Sequence, residues 1–570
     1  MAVPEDNVFR RPRLFRVLLA LLALTAAVAA LASVTVFLSG PLRLSLGPLV
    51  FSCSDYGRPL LVFLASAGAG LLAWWRLAGR RPLPERRILG GLGLAGLAWF
   101  VFFGSLGLWL HWNWWSNSLD MALHSQLLWN LSRGEFMVTS FLTHSFVSNH
   151  FWPGLYLLVP FYLLGGNEGM VLLQAAAAAA AVFPAYLLAR ELTASRRWGV
   201  ALALSCLLHP TLGSGALFDY HVEILIVPLI LAALLNLRRR RFGWAALLVA
   251  LSVSLYEVSA VPYAFLGLGL LTRRRWRSAG LLLFAACAGY LVLAAGWVIP
   301  HTRHPGYWPH ADRFRKLGST PLEAAAHFFQ APLAYLARNA TPGRLAAAVR
   351  LLGAFAFLPL VGLELLLPVL PLLLALYLSQ FPLQFDIRYG YLAVTLPFFF
   401  LAAARGAKRL GRLPGRAGAL LRRYGFIPAL AVAFWFSWRV QVEDSIRLHD
   451  FYPRPNREAI EEAARLVPPT ASLATTLHLG PHFERRPVLL LAPDYYFGEI
   501  PVEYILLDLP DAAGNAKLVA GLPTVLNSGK WGVRYFRAGV LLLELEGKDA
   551  VPPARIEAYL SELRPDLCYD

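Results

Sequence analysis

The run VLLALLALTAAVAALASVTVFL, Val17–Leu38, is 22 residues long and holds no charged side chain. As a helix rising about 1.5 Å per residue it crosses a hydrocarbon core of about 30 Å. It is too long for a signal-peptide core, and no clear small-residue cleavage site follows it, so it reads as a retained membrane helix. The pattern recurs along the chain: 57% of the 570 residues are hydrophobic and only 15% are charged, where soluble domains carry about 25% charged residues. Mean hydropathy is +0.54.

Working outward, further candidate spans fall at 59–75, 88–110, 151–165, 168–189, 198–211, 221–237, 243–255, 258–272, 278–299, 344–362, 365–381, 388–403 and 425–438. The net charge of +18 sits in short basic clusters between these runs, which argues for orientation in a membrane and against nucleic-acid binding. The clusters Arg10–Arg16, Arg76–Arg87, Arg190–Arg197, Arg238–Arg241, Arg273–Arg277 and Arg405–Arg423 all fall inside if an even number of spans separates each pair. One interval, Arg87 to Arg190, holds three candidates. The short 151–165 run, with Pro153 and Pro160, is therefore expected to be re-entrant or interfacial. The expectation is a mainly α protein: a polytopic transmembrane helical bundle of about 13 spans, located in the cell membrane with its N-terminus cytoplasmic. Residues 1–438 form the membrane domain, with external loops 111–150 and 300–343. Trp112, Trp114 and Trp115 are expected as an interfacial belt.

From Glu443 onward charges become frequent and apolar runs short. Residues 456–466 read as an amphipathic helix, and Ser472–Thr475, Val488–Leu491, Tyr504–Leu507 and Val540–Glu544 as strands. The segment 439–570 is thus expected to be a small extracytoplasmic α/β domain. Cys53, Cys206, Cys287 and Cys568 show no metal-ligand spacing.

The candidate chemistry lies near the outer face. In SLDMALHSQLLWNLSRGE, Leu119, Leu123, Leu127 and Leu131 recur at helical spacing, predicting an interfacial amphipathic helix. Asp120 and His124 lie four apart on it. The loop ends in SNHFWP, which contains His150. The turn FDYHVEIL brings Asp219, His221 and Glu223 to the start of a span. Glu257, in LYEVSA, interrupts an apolar stretch; an intramembrane carboxylate is costly and marks a functional position. Arg388 and Tyr389, in FDIRYGY, begin another span on the same face. Each has a structural alternative: a helix cap for Asp120, solvated or interfacial histidines, a hairpin turn paired to arginine for Glu257, a snorkelling anchor for Arg388. Convergence on one face favours the functional reading. No metal site is expected, since His301, His304 and His310 match no standard spacing; a divalent cation is the only cofactor left open.

These residues resemble the bacterial and archaeal membrane-protein family known as domain of unknown function 2079. Its members carry an FDLGIFDQALW-like first loop, then GDHFSP-like, FDFHPE-like and KED-like motifs and an HY-type span start. Here these read LDMALHSQLLW, SNHFWP, FDYHVE, YEV and IRY, and VPPTASLATTLHLGPHFERRP with EYILLDLP resembles the family's C-terminal domain. The sequence departs from the pattern at Ser125, Asn149, Tyr256 and Arg388, which stand where the family has an acid, Asp, Lys and His. The resemblance implies an architecture similar to lipid-linked-sugar glycosyltransferases, which hold an acidic residue in the first external loop and use a polyprenyl-phosphate sugar donor. Asp120 matches that position and suits a general base. Arg388 would hold the donor's phosphate. His150, His221, Asp219 and Glu223 would orient sugar or acceptor, and Glu257 would support them, with His124 and Tyr389 completing the binding residues. The partners implied are membrane lipid, the polyprenyl-phosphate donor and an unidentified acceptor of the cell envelope. The residues also leave open a transporter or lipid flippase, or a non-catalytic assembly or sensor protein.

Overall fold

A computed structural model describes residues 84–562 apart from 143, 303–309, 442–445, 447–451, 493–501 and 514, together with strands at 42–46 and 49–53 and scattered helical positions between 17 and 62. The candidate spans 17–38 and 59–75, along with His304 and Cys568, lie wholly or largely outside the described residues. The chain divides into two compact units, Met1–Ile88 and Leu89–Asp570. In the first, β1 (Leu42–Leu46) pairs antiparallel with β2 (Leu49–Cys53), Leu42 opposite Cys53. Leucines alternate with Arg43 and Ser45 along β1, the period of two that a strand needs.

The second unit is predominantly helical. Helix α1 (Glu85–Trp112) has 28 residues, about 42 Å of rise. Leu94, Leu97 and Val101 on its flank are exposed, an apolar face that hydrocarbon solvates and water does not. After a short helix, α2 (Leu123–Ser132), come α3 (Val159–Ala180) and α4 (Val182–Thr193), then α5 (Arg196–Leu207) and α6 (Pro210–Leu217). Helix α7 (Val222–Arg238) is almost wholly enclosed, while α8 (Phe242–Leu255) and α9 (Ala260–Leu271) form a hairpin whose turn is Tyr256–Ser259. Helix α10 (Arg277–Leu291) continues as a π-helical stretch to Val298 and leaves most of its surface exposed.

The protein is a multi-pass membrane protein, yet the described residues do not confirm the expected count of about 13 spans. Among the described residues five helices are long and apolar enough to cross: Glu85–Trp112, Val159–Thr193, Arg196–Leu217, Arg274–His301 and Pro382–Leu410. A sixth counts if Gly415–Tyr424 and Phe426–Arg439, bent by 58°, act as one. Two causes account for part of the difference, since 17–38 and 59–75 lie largely outside the described residues. Helices α8 and α9 have 14 and 12 residues, about 20 Å each. The candidate spans 344–362 and 365–381 resolve into Pro342–Gly353, three 3-10 turns and Leu370–Leu378. Pro359 and Pro368 lack the N–H that would continue a helix. In the 151–165 region, Pro153–Leu157 is a 3-10 turn and Gly166 breaks α3 at φ 56, ψ −141. That left-handed backbone suits glycine and ends the short segment there.

The tail forms a five-stranded sheet in the order β4-β3-β5-β7-β6. Its strands are β3 (Leu473–Thr475), β4 (Leu489–Leu491), β5 (Tyr504–Asp508), β6 (Trp531–Arg537) and β7 (Val540–Leu545). Strand β3 runs parallel to β4 and β5, and the other pairs are antiparallel. The expected helix appears as Arg457–Arg465; β6 was not anticipated. Leu507, Leu522, Val533 and Leu541 lie in its core, each buried apolar side chain contributing about 1.5–3 kcal/mol.

This tail belongs to the same compact unit as the helices and clasps the first loop. The Ser118 N–H donates to the Leu477 carbonyl at 2.8 Å. Ser140 Oγ donates to the Leu489 carbonyl at 2.7 Å and accepts from its N–H at 2.8 Å. Gln126 Nε2 reaches the Arg486 carbonyl and Asn167 Nδ2 the Pro481 carbonyl. The tryptophan belt divides accordingly: Trp112 is exposed, whereas Trp114 is buried with its ring 3.8 Å from that of His482. Trp115 lies under the Arg454 guanidinium at 4.2 Å. The leucine stripe also faces protein, with Leu123, Leu127 and Leu131 buried and Leu119 exposed. Replacing Trp114 with Ala removes the aromatic wedge between loop and tail. Hydrogen exchange across Leu473–Leu491 should then accelerate and the protein lose about 3–5 kcal/mol of stability in chemical denaturation.

Candidate active site

The loop after α1 is shaped by Asn117, whose side chain accepts the Leu119 N–H at 2.7 Å and so caps a π-turn, Ser118–Ala122. That turn presents Asp120 with its Oδ1 3.7 Å from His221 Nε2 and 28% of its side chain accessible. Burial raises the Asp120 carboxyl above the ordinary carboxylate value, and the His221 charge pulls it part of the way back. His124 does not meet the Asp120 carboxylate. Its Nδ1 donates to the Asp120 carbonyl at 2.6 Å and its ring stacks on Trp152. Burial pushes its pKa down to about 3, so His124 stays neutral and acts as a wall of the site.

The FDYHVE turn is held by Gln174 of α3. Its Oε1 accepts the His221 N–H at 2.6 Å and its Nε2 donates to the Asp219 and Gly215 carbonyls. Asp219 adopts φ 50, a conformation Asp tolerates better than most residues. Its carboxylate then accepts the Asn117 N–H at 2.9 Å, tying the two loops together. Burial, then the charge of Asp120, hold the Asp219 carboxyl well above its usual value. His221 Nδ1 donates to the Phe218 carbonyl at 2.7 Å, which leaves Nε2 as the atom facing Asp120. Gly390 packs on that ring: a Cβ there would stand 3.2 Å from His221 Cδ2. Glu223 lies buried in the first turn of α7, where the helix dipole favours a carboxylate. It is within electrostatic range of His221, His150 and Asp120.

Glu257, at the α8–α9 turn, is paired to histidine and tryptophan and not to an arginine. Its Oε1 is 2.8 Å from His150 Nδ1, and its Oε2 accepts the Trp152 Nε1–H. His310 joins from the second loop, its ring 5.5 Å from that of His150. Burial, with the charges of His150 and Arg313 adding to it, takes the His310 pKa down to about 3. Tyr389 meets Phe218 edge-on at 4.7 Å, and Phe218 lies against His221. Arg388 is engaged by its neighbour in sequence, with Nη2 2.8 Å from Asp386 Oδ2 and Nε 3.1 Å from Oδ1.

The structure thus gathers Asp120, His124, His150, Asp219, His221, Glu223 and Glu257 into one cluster, with Tyr389 at its edge through Phe218. Sequence reasoning missed Gln174 and Trp152, and weighed His310 only as a metal ligand. Gln174 is a lone polar residue in an alanine-rich run, and that cost was a usable signal. The departures have structural places: Ser125 is buried and donates to Asn167 Oδ1 beneath the tail, and Tyr256 packs on Trp152. Among the described residues no three His, Cys, Asp or Glu side chains converge as a metal-ligand set. The arrangement offers a carboxylate of raised basicity, a neighbouring imidazole of fixed orientation, and aromatic walls that limit water.

A family model described as predicted membrane protein (DUF2079) matches residues 110–542. No curated protein matches the chain. Among solved structures, ArnT from Cupriavidus metallidurans bound to undecaprenyl phosphate is 12% identical, with a TM-score of 0.49 over 78% of this chain and 98% of that one. Its apo state gives 13% and 0.46 over 79% and 98%. The arabinofuranosyltransferase AftD from Mycobacteria gives 16% and 0.38 over 79% and 40%.

Glu257→Ala should strand the buried Trp152 N–H and the His150 ring. A loss of about 1–3 kcal/mol in denaturation is expected, with Glu257→Gln intermediate because its carbonyl still accepts one bond.

Proposed function

The chain belongs to the family of predicted membrane proteins described as DUF2079, and on that premise we propose that it is a membrane glycosyltransferase. It would take sugar from a polyprenyl-phosphate donor at the outer face of the membrane and pass it to a hydroxyl acceptor of the cell envelope. The observation that carries this reading is Asp120, half-buried, 3.7 Å from a histidine whose other nitrogen is committed to a backbone carbonyl. Burial makes Asp120 a stronger base than a solvated carboxylate. In the proposed step the acceptor oxygen attacks the anomeric carbon, the bond from that carbon to the phosphate oxygen breaks, and the hydroxyl proton passes to Asp120. The departing group is polyprenyl phosphate. Positive charge developing on the sugar is stabilised by Asp120 and by Glu223. His221 offsets part of the rise that burial gives the Asp120 carboxyl, and the His150–Glu257 pair with Trp152 and His124 shapes the pocket around the sugar.

Purified protein in nanodiscs, given a panel of polyprenyl-phosphate sugars, should release polyprenyl phosphate. Asp120→Asn and Asp120→Ala should lower the rate by about 10²–10⁴-fold; full turnover in both variants removes Asp120 from the chemistry. A pH profile tests the electrostatics. Asp120 acts as a base only above its pKa, so the rate should rise with pH through that value. His221 lowers the Asp120 pKa; His221→Gln therefore leaves burial unopposed, and the acid limb of the profile should move to higher pH.

A further inference from the structure

We infer that Arg313 is the anion-binding residue of this site and that it receives the phosphate of an isoprenoid phosphate. Arg313 lies in a 3-10 turn, Ala311–Phe314, immediately after His310. The turn is fastened to the segment that leads into the 382–410 helix. Gln380 N donates to the Arg313 carbonyl at 2.8 Å, and the Gln380 side-chain oxygen accepts the Arg315 and Lys316 N–H groups at 3.0 and 2.9 Å. The guanidinium carbon stands 5.1 Å from the centre of the Phe381 ring, and that ring meets Tyr391 edge-on at 6.5 Å. The guanidinium is within electrostatic range of Tyr256, Tyr391 and His310, and Tyr391 is within range of Asp120 and Glu223. Arg313 is half-buried, while its neighbour Asp312 is exposed.

Other arginines near this region are committed: Arg388 to Asp386, and Arg344 to Asn339 and the Ser379 carbonyl. Among the described residues the Arg313 guanidinium makes no hydrogen bond or ion pair, only the contact with Phe381. A guanidinium keeps its proton at any working pH. Partly desolvated on an aromatic face, with its five donors unspent, it is matched to a phosphate diester or monoester. Arg313, Asp120 and Glu223 all lie within electrostatic range of Tyr391, so a phosphate on Arg313 keeps the attached sugar in the neighbourhood of Asp120. The isoprenoid identity of the ligand rests on the glycosyltransferase reading above.

The test is binding in nanodiscs of neutral phosphatidylcholine, with farnesyl phosphate as probe and farnesol, inorganic phosphate and phosphatidylglycerol as comparison arms. Farnesyl phosphate should bind about tenfold or more tightly than farnesol or inorganic phosphate. Arg313→Gln should abolish that preference, Arg313→Lys should restore part of it, and Lys316→Gln, which removes an adjacent exposed charge, should leave it unchanged. Each variant's thermal unfolding confirms that it is folded. Wild-type affinity in Arg313→Gln overturns the assignment, as does loss in Arg388→Gln with Arg313→Gln unaffected. Equal binding of inorganic phosphate or of phosphatidylglycerol overturns the isoprenoid identity. Sugar transfer that depends on Asp120 while farnesyl phosphate binding ignores Arg313 sinks this inference alone. Binding that depends on Arg313 in a protein that transfers no sugar sinks the glycosyltransferase reading alone.

Discussion

The tail domain holds the first loop by its backbone, and the rest of the site depends on that grip. Ser118 N–H bonds to the Leu477 carbonyl two residues before Asp120, and Gly480 leaves room for the approach, since a Cβ there would meet Ser118 Oγ at 2.3 Å. A loop segment alone pays too much conformational entropy to hold a carboxylate in place. Here the ordering is supplied from 359 residues away in sequence. The same loop is tied on its other side by Asn117 to Asp219. Asp120 is therefore positioned between two elements that each constrain one neighbouring residue.

The second constraint is electrostatic. Asp120, Asp219, Glu223 and Glu257 share a small volume with His150 and His221, and uncompensated buried carboxylates are expensive. The structure relieves the cost unevenly. Glu257 takes two donors, from His150 and Trp152. Asp219 takes a backbone amide, while burial and then the Asp120 charge hold its carboxyl protonated to a higher pH. Asp120 has, among the described residues, a histidine at 3.7 Å. With 28% of its side chain accessible, Asp120 is open enough to meet a ligand.

Much of this was legible beforehand. Uncharged apolar runs declared a multi-pass membrane protein, because few arrangements other than a lipid-solvated helix tolerate them. Four of the tail's five strands and its first helix were visible in residue alternation. The motif residues Asp120, His150, Asp219, His221, Glu223 and Glu257 were visible because polar groups near apolar runs are costly. Span count was less legible: Pro359, Pro368 and the turn at Tyr256 interrupt helices within runs that composition alone presents as continuous.

Composition and periodicity by themselves determined the class of the protein, the presence of a small sheet in its tail and the short set of polar residues worth attention, since these follow from local hydrophobicity and repeat. Tertiary structure alone decided which atom of each residue is used. His124 spends its nitrogen on a carbonyl, Arg388 is captured by Asp386, and the Arg313 carbonyl is held by the Gln380 N–H. Pairs such as His150 with Glu257 are 107 residues apart. Partnership at that distance depends on how helices and loops pack, and no local pattern in the chain encodes it.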